Sequence, residues 1–352
     1  MLSLLVFAAV PQPSATDVMA GKVDKILQQA IADHQLPALA AAFLVDGKPV
    51  LVRTYGKKTL GQSAGPDADT VFGIGSTSKA MTAFGLMILV DQGKLELSRP
   101  VGQILPQLPK DWQPIPLLNF VTHTSGLPDG GLAGTKGSTP WEVFGNWAKG
   151  HPLQFKPGAN QLYSNVNFAV AGAVIEKVSG QKYADFMRKA VWGPLGMTRT
   201  GPWTTFLKGN MASPYNMRQG KVVAARQGVG VTPTGIPSGG LVSTLDDMMA
   251  WEAAIRERRL MGGATYDAMF TPVVPPASKA TWHFSPGWQI RDAGGTRVIA
   301  KNGSVSGYMS MIQLVPTKGA SLILLWNLQS QGADLWRESA IIWHQALGLP
   351  MR

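Results

Sequence analysis

Cysteine is absent from this 352-residue sequence, which excludes disulfide bonds, zinc–thiolate sites, iron–sulfur clusters and a cysteine nucleophile. Charged residues make up only 15% of the chain while apolar residues reach 45%, so a disordered polyelectrolyte is excluded as well. After the first residues, no segment reaches the 18 to 20 or so consecutive apolar residues of a transmembrane helix. The chain is nevertheless long enough to bury a substantial core without covalent cross-links.

Motifs for metals and nucleotides are also missing. The five histidines are scattered and no H-E-x-x-H pattern occurs, which argues against a metal site. No P-loop is present, and residues 73–75 lack the third glycine of a dinucleotide fingerprint. We therefore expect neither a metal nor an organic cofactor.

The formal net charge is +11, from 32 basic and 21 acidic side chains. The basic residues are dispersed, and the densest runs, at 57–58 and 256–259, are not interleaved with aromatic side chains as in a nucleic-acid module. We expect a basic, solvated surface and no nucleic-acid partner. Attraction to an anionic polymer such as a cell wall is the weaker alternative.

Residues 2–10 are apolar and uncharged, and the first basic residue is Lys22. This run is too short to span a bilayer but matches the hydrophobic region of an export signal, although the usual positive start is missing. We expect residues 1–18 to be the remnant of a signal peptide and the protein to be a periplasmic or secreted monomer with no stable membrane span. An N-terminal strand and a wrongly chosen start codon are the alternatives.

Strand patterns occur at the two ends of the chain and helical patterns between them. An Asp46-Gly47 turn inside the apolar segment 39–52 is typical of a β-hairpin. Further strands are predicted at 297–300, 310–315 and 320–326, and helices at 76–92, 168–178, 243–256 and 333–347.

This order predicts a mixed α/β (α+β) fold, in which N- and C-terminal strands form one antiparallel sheet flanked by helices. We expect residues 19–92 and 238–352 to form the sheet domain and residues 93–237 to form an inserted, mostly helical region. An active site is expected where the two meet, because clefts form preferentially at such junctions.

Three serine patterns are candidates for chemistry. The G-x-S-x-G at 61–65 lacks the strand and helix that a nucleophile elbow requires, and the S-x-x-K at 179–182 falls at a helix end. The S-x-x-K at 76–79 instead opens an apolar helix. There the helix N-terminus favours a nucleophilic Ser76, and burial of Lys79 on the same face would let its neutral amine accept a proton. A capping serine followed by a solvated lysine is the alternative.

Two later motifs add to this pattern. Tyr163-Ser164-Asn165 supplies a phenol that can relay protons and an amide that can hold a carbonyl group. Lys301-Asn302-Gly303 is predicted to begin the turn between two C-terminal strands, where Lys301 offers a positive charge to a substrate carboxylate or to Tyr163.

With these motifs the sequence resembles the serine β-lactamase and penicillin-binding-protein superfamily, in particular its class C β-lactamase-like and D-alanyl-D-alanine carboxypeptidase/endopeptidase branch. The similar stretches are GIGSTSKAMTA (73–83), FVTHTSGLP (120–128), PGANQLYSNVNFAVAG (157–172), WGPLGM (192–197), SGGLVSTLDDMMAW (238–251) and AKNGSVSGYMSMIQLVP (300–316).

The resemblance implies that Ser76 is the acylated nucleophile, Lys79 its proton acceptor and Tyr163 the general acid/base. It also implies that Asn165 positions the substrate amide and that Lys301 faces the substrate carboxylate.

By the same likeness, the backbone N–H groups of Ser76 and Ser304 form an oxyanion hole, and Gly303 completes the substrate-binding triplet 301–303. Asn302 departs from the family pattern, because it replaces a hydroxyl residue that would bind the substrate carboxylate.

The resulting prediction is a secreted serine hydrolase that acts on β-lactams, D-alanyl-D-alanine peptides or both through an acyl-enzyme at Ser76. A carboxylesterase on the same fold and a penicillin-binding sensor without turnover are the alternatives. The partner of the protein is then a small-molecule or peptide substrate.

Overall fold

The computed structural model describes residues 14–206, 209–226, 228, 232–293, 295–330 and 335–349. Within these residues the chain forms ten α-helices: α1 (Ala15–His34), α2 (Thr77–Asp91), α3 (Leu117–Val121), α4 (Pro140–Ala148), α5 (Asn165–Ser179), α6 (Tyr183–Met187), α7 (Ile236–Gly239), α8 (Leu245–Arg256), α9 (Gly263–Met269) and α10 (Trp336–Leu347).

The same residues contain thirteen strands: β1 (Ala38–Val45), β2 (Lys48–Gly56), β3 (Phe72–Gly73), β4 (Gly201–Pro202), β5 (Tyr215–Arg218), β6 (Lys221–Ala224), β7 (Leu241–Ser243), β8 (His283–Ser285), β9 (Trp288–Ala293), β10 (Thr296–Val305), β11 (Tyr308–Val315), β12 (Ala320–Trp326) and β13 (Leu328–Gln329).

Seven strands form the main sheet, in the order β2-β1-β12-β11-β10-β9-β8. Every neighbouring pair is antiparallel, and the N-terminal hairpin joins the C-terminal strands through β1 and β12, where Leu39 lies opposite Trp326. The predicted antiparallel sheet of N- and C-terminal strands flanked by helices is therefore confirmed.

The predicted N-terminal hairpin is present, and the backbone of its turn explains why Asp46-Gly47 predicted it correctly. Asp46 and Gly47 have φ angles of 51° and 72°, the left-handed values that a two-residue type I′ turn requires. The predicted strand 320–326 coincides with β12, and the predicted helices 76–92 and 243–256 correspond to α2 and α8.

The predicted turn at Lys301-Asn302-Gly303 is wrong. These residues lie inside β10, which continues to Val305, and the chain turns at Ser306 and Gly307 with φ angles of 41° and 88°. Asn-Gly is a strong turn signal, but Gly303 serves another purpose here. A Cβ at this position would overlap the Ile74 carbonyl oxygen, so the glycine permits the strand to approach the chain before α2.

Helix α1 was not predicted. A capping box between Ser14 and Asp17 starts it, and its buried residues are Val23, Leu27 and Ala30. Residues 14–18 of the predicted signal segment thus include the cap and first turn of α1, whereas residues 1–13 lie outside the described residues. The predicted helix 333–347 is α10, and residues 333–334 also lie outside the described residues.

Helices cover both faces of the sheet. Helices α1 and α10 pack with one face around a cluster that includes Leu27, Leu324 and Trp343, and α2 and α8 pack against the other. Helix α2 is buried from Thr77 to Leu89 because α5, α7 and α9 surround it on the side away from the sheet. This central position fixes the N-terminus of α2 against β10 and β11.

None of the helices in the described part of the chain combines the length and apolar character that a membrane span requires. Export, a monomeric state and the division into a sheet domain and an inserted helical region remain predictions.

Candidate active site

Ser76 directly precedes α2, and its side chain makes no helix-capping hydrogen bond. Its Oγ instead accepts hydrogen bonds from Lys79 Nζ at 3.0 Å and from the Tyr163 hydroxyl at 2.6 Å. Lys79 is fully buried, so the alternative of a capping serine followed by a solvated lysine is excluded.

Two strands hold the backbone around Ser76. The Ser310 hydroxyl of β11 donates to the Ile74 carbonyl at 2.7 Å, and because it has one hydrogen it must accept from Thr77 Oγ1 at 2.8 Å. In β10, a Cβ added to Gly303 would lie 2.8 Å from the Ser76 backbone nitrogen. Ser76 is therefore held against the sheet.

The Lys79 side chain meets three acceptors inside the protein. Its Nζ lies 3.0 Å from Ser76 Oγ, 2.7 Å from Asn165 Oδ1 and 2.5 Å from the Ser238 carbonyl oxygen. An ammonium group can donate to all three. A neutral amine that donates to Asn165 and Ser238 would direct its lone pair at the Ser76 hydroxyl, which is the geometry of a general base.

Burial lowers the pKa of Lys79 well below its usual value, and the positive charge of Lys301 lowers it further. Asp129 opposes this shift through its negative charge. Both dominant causes favour the neutral amine, which is the form of Lys79 that can accept a proton.

Tyr163 lies just before α5, and its ring is close to two lysine side chains, with Lys79 Nζ at 4.8 Å and Lys301 Nζ at 5.4 Å from the ring centroid. Burial raises the pKa of Tyr163, the hydrogen bond to Ser76 acts in the opposite direction, and Asp129 raises it slightly. The resting side chain is therefore a neutral phenol, in agreement with its role as hydrogen-bond donor to Ser76.

Asn165 and Lys301 complete the polar cluster. Asn165 is the first residue of α5, and its backbone N–H donates to the Gly130 carbonyl at 3.0 Å while its side chain accepts from Lys79. Lys301 points from β10 towards α2 and is 1% exposed. Burial lowers the pKa of Lys301 to about 7, so its charge is partly lost at neutral pH.

A cavity of about 360 Å³ opens above Ser76. On one side it is bounded by the start of α2 and the end of β10, and on the other by residues from the segment 131–169. The lining residues are Ser76, Gly131, Leu132, Ala133, Tyr163, Asn165, Ala169, Thr232, Gly235, Ser238, Gly239, Ser304, Val305, Ser306 and Gln329.

Ser304 lies at the end of β10 on the rim of this cavity. A Cβ added to Gly75, whose φ is 49°, would overlap the Ser304 backbone nitrogen. The glycine thus allows the backbones of residues 75–76 and 304 to touch, and the two nitrogens predicted to bind an oxyanion lie beside the same cavity.

Asn302 is not brought together with the other predicted residues. Side chains alternate along β10, so Asn302 points away from Lys301 to the opposite face of the sheet. There it lines a separate cavity of about 550 Å³ with Trp282 and Trp336. Its placement gives no support to a contact with a substrate carboxylate.

Two groups in the cluster were not singled out from the sequence. One is the Ser238 carbonyl oxygen, which binds Lys79, and the other is His123, whose ring stacks on Tyr163 at 4.4 Å. Both lie in stretches on which the family resemblance was based. A backbone carbonyl that accepts a hydrogen bond and a ring that stacks on another ring have no characteristic sequence spacing, so neither could be recognised as part of the site. In the part of the chain that the structure describes, no three His, Asp or Glu side chains form a cluster that could hold a metal ion.

The chain is similar to several known sequences. The D-alanyl-D-alanine-carboxypeptidase/endopeptidase AmpH of Escherichia coli is 28% identical over 306 residues, which cover 79% of this chain and 76% of the relative. The unguisins hydrolase ungD' of Aspergillus campestris is 24% identical over 91% of this chain. The chain spans 63% of the length of that relative.

Solved structures share the fold. An octameric penicillin-binding protein homologue from Pyrococcus abyssi superposes with a TM-score of 0.79 and 26% identity, over 93% of this chain and 76% of that one. The D-amino acid amidase of Ochrobactrum anthropi gives a TM-score of 0.77 at 24% identity, over 94% and 98% of the two chains. The Beta-lactamase family model matches residues 23–344, and the chain therefore belongs to the β-lactamase family of serine hydrolases.

Proposed function

We propose that this protein hydrolyses amide bonds of D-alanyl peptides or β-lactams through an acyl-enzyme at Ser76. The observation that carries the proposal is that Ser76 Oγ lies 3.0 Å from Lys79 Nζ and 2.6 Å from the Tyr163 hydroxyl, at the floor of an open cavity. A serine with a base and an acid on the same oxygen is arranged for nucleophilic attack and for protonation of a leaving group.

The lowered pKa of Lys79 and the raised pKa of Tyr163 support a division of roles. The neutral Lys79 amine takes the Ser76 proton as Oγ bonds to the substrate carbonyl carbon. The Tyr163 phenol gives its proton to the leaving nitrogen as the C–N bond breaks, and the proton held on Lys79 then replaces the one that Tyr163 lost.

The tetrahedral intermediate carries negative charge on the former carbonyl oxygen. The Ser76 and Ser304 backbone N–H groups are the proposed donors to this oxygen, and donors of this kind contribute about 3–4 kcal/mol each. Water then attacks the acyl-enzyme ester while the neutral Lys79 amine removes a water proton. The C–O bond to Ser76 breaks, the acid is released, and the proton on Lys79 returns to Oγ and restores the Ser76 hydroxyl.

A D-amino acid amide is a second candidate substrate, favoured by the charges around the cavity. The described lining residues include no lysine or arginine that would bind a substrate carboxylate. The exposed carboxylate of Asp129 acts electrostatically on both Lys79 and Tyr163 and would attract a substrate ammonium group. The structurally similar Ochrobactrum protein is a D-amino acid amidase.

Intact-mass analysis after rapid mixing with excess penicillin tests the acyl-enzyme. We expect an adduct on the wild-type protein, none on Ser76→Ala, and an unchanged adduct on Ser179→Ala, which alters the other S-x-x-K serine. Decay of the adduct within seconds would indicate turnover, and a lasting adduct would indicate the penicillin-binding sensor.

Substrate preference is measured next with D-alanine amide, L-alanine amide, a D-alanyl-D-alanine peptide and p-nitrophenyl acetate. Faster hydrolysis of the D-amide than of the dipeptide, lost in Asp129→Asn, would establish the second candidate. Hydrolysis of the ester alone would favour the carboxylesterase. If Ser76→Ala hydrolyses every substrate as fast as the wild type, the proposal is wrong.

A further inference from the structure

His123 is a fully buried side chain beside the catalytic cluster whose role the proposed reaction does not use. Its ring stacks on Tyr163, with centroids 4.4 Å apart and an interplanar angle of 29°, and meets the edge of Phe284 at 4.7 Å. Its backbone has a φ of 56°, a strained value for a residue other than glycine. Strain is retained only where surrounding contacts hold it in place.

The hydrogen bonds around His123 fix its protonation state. Its Nδ1 lies 3.2 Å from the Ser164 backbone nitrogen, which can only donate, so Nδ1 must carry a lone pair. The Asn167 side-chain nitrogen lies 3.1 Å from the same Nδ1, and the Ser125 hydroxyl, which donates to Asn167 Oδ1 at 2.7 Å, fixes that amide orientation. The ring hydrogen therefore resides on Nε2.

A protonated His123 would be costly in three ways. An N–H at Nδ1 would face two N–H donors, Ser164 and Asn167, and both hydrogen bonds would break. Nε2 is buried and has no hydrogen-bond partner among the described residues, so nothing there offsets a charge. Burial, then the charges of Lys301 and Lys79, lower the pKa of His123 well below its usual value.

His123 is also tied to the segment that contains Tyr163. Its carbonyl oxygen accepts from the Leu162 backbone N–H at 2.8 Å, and its ring accepts from the Ser164 N–H. The two bonds bracket Tyr163 on the residues before and after it, while the stacked imidazole limits rotation of the phenol ring. A phenylalanine could stack but could not accept from Ser164, and an asparagine could accept but could not stack.

We propose that His123 is a positioning residue, held as the neutral Nε2–H tautomer, that orients the Tyr163 phenol towards Ser76. The proposal rests on the role of Tyr163 in the proposed reaction. Protonation of His123 would release the Ser164 backbone and place a buried positive charge beside the Lys79 and Lys301 side chains. Loss of the ring would leave the fold in place and move the Tyr163 hydroxyl away from Ser76 Oγ.

The protonation state is tested first, because it does not depend on turnover. Long-range ¹H–¹⁵N spectra of the folded protein should show one histidine as the Nε2–H tautomer with no titration between roughly pH 5 and 8. The signals of this ring should be missing in His123→Asn. Titration of this ring near the ordinary histidine pKa, or the other tautomer, would overturn the proposal.

The positioning role is tested by the rate at which penicillin acylates Ser76 in His123→Asn, because this reaction needs Tyr163 to protonate the leaving nitrogen. Asparagine tolerates the positive φ and keeps an acceptor near Nδ1, so the variant loses mainly the stacked ring. We expect the maximal rate to fall about 10- to 100-fold with little change in the half-saturating concentration, because small misplacements of catalytic groups have effects of this size. His151→Asn is the matched control, because the His151 ring also stacks on an aromatic ring, that of Trp147 at 4.2 Å. This variant should be labelled at the wild-type rate.

Equal labelling of His123→Asn and the wild type would overturn the positioning role. If His123→Asn does not fold, Asn167→Leu, which removes one donor to Nδ1 and keeps the stack, should still lower the rate, and a normal rate there would count against the proposal. A wild-type protein that is not labelled at Ser76 would instead contradict the proposed function, and the spectra would still decide the state of His123.

Discussion

Tyr163 donates its phenolic hydrogen to Ser76 Oγ across 2.6 Å, although 87 residues separate the two in the chain. Ser76 belongs to the start of α2, which rests on the sheet, and Tyr163 to the chain just before α5. The packing of α5 on α2 therefore creates this contact. In the proposed reaction, changes on either side of the contact should be measurable in the acylation rate.

Replacing Lys79 by arginine should abolish acylation. A guanidinium keeps its proton near neutral pH and cannot accept the Ser76 hydrogen, so we expect the acylation rate to fall at least about 100-fold. Quenched-flow mass analysis with penicillin measures this rate. Lys182→Arg changes the lysine of the other S-x-x-K and should react normally, and acylation of Lys79→Arg at the wild-type rate would remove Lys79 from the mechanism.

Replacing Lys301 by methionine should move the acidic limb of the acylation profile to higher pH. The charge of Lys301 helps to lower the pKa of Lys79, so its removal raises that pKa and keeps Lys79 protonated to a higher pH. Acylation rates recorded at closely spaced pH values in both proteins give the shift. An acidic limb that stays in place, or moves to lower pH, would show that the charge of Lys301 does not lower the pKa of Lys79.

The buried Lys301 should also make stability depend on pH. Its pKa is lowered from 10.5 to about 7 in the folded protein, so between these values the unfolded chain binds a proton that the folded chain does not. The free energy of unfolding should therefore rise as pH increases from neutral towards 10.5.

Urea unfolding at several pH values measures this dependence. The increase should be smaller in Lys301→Met, in which Lys79 still contributes in the same direction, and it should be unchanged in a variant of the exposed Lys94. A free energy of unfolding that falls over this range in the wild type would contradict the assignment.

Substitution of Asn302 should leave catalysis intact. The side chain lines the cavity on the far face of the sheet and not the one above Ser76. We expect Asn302→Ala to change kcat/KM less than about threefold with any substrate that the wild type hydrolyses. A tenfold or greater rise in KM for substrates with a free carboxylate, with no change for neutral esters, would place Asn302 in substrate binding after all.

Replacing Gly303 by alanine should impair both stability and acylation. The new Cβ would overlap the Ile74 carbonyl oxygen and lie 2.8 Å from the Ser76 backbone nitrogen, so β10 must move away from Ser76. Overpacking of this kind costs about 1–3 kcal/mol. The helical Gly21 has no atoms near an added Cβ, and Gly21→Ala should be neutral or stabilising in the same thermal-unfolding experiment. A Gly303→Ala variant as stable and active as the wild type would show that β10 does not pack tightly against Ile74 and Ser76.

The sequence by itself determined the family and the outline of the fold. The Asp46-Gly47 turn, the apolar helix that opens at Ser76 and the strands around the C-terminal turn depend on near neighbours in the chain. Local backbone preference and hydrophobic periodicity decide such elements, so they can be predicted from short segments.

Tertiary structure decided what surrounds those elements. The Asn302-Gly303 pair has a strong turn preference, but the need for close approach to Ile74 extends β10 through it. The side of the sheet on which Asn302 lies follows from that extension, because each step along a strand reverses the face.

The electrostatic state of the site also came only from the folded chain. Lys79 loses basicity because it is buried near a second buried lysine, and its third acceptor is the backbone carbonyl of Ser238. Burial and through-space charge depend on residues that are far apart in the sequence. Lys79 and Ser238, for example, are in contact although they are 159 positions apart. The sequence thus named the chemical groups, and packing set their protonation states and directions.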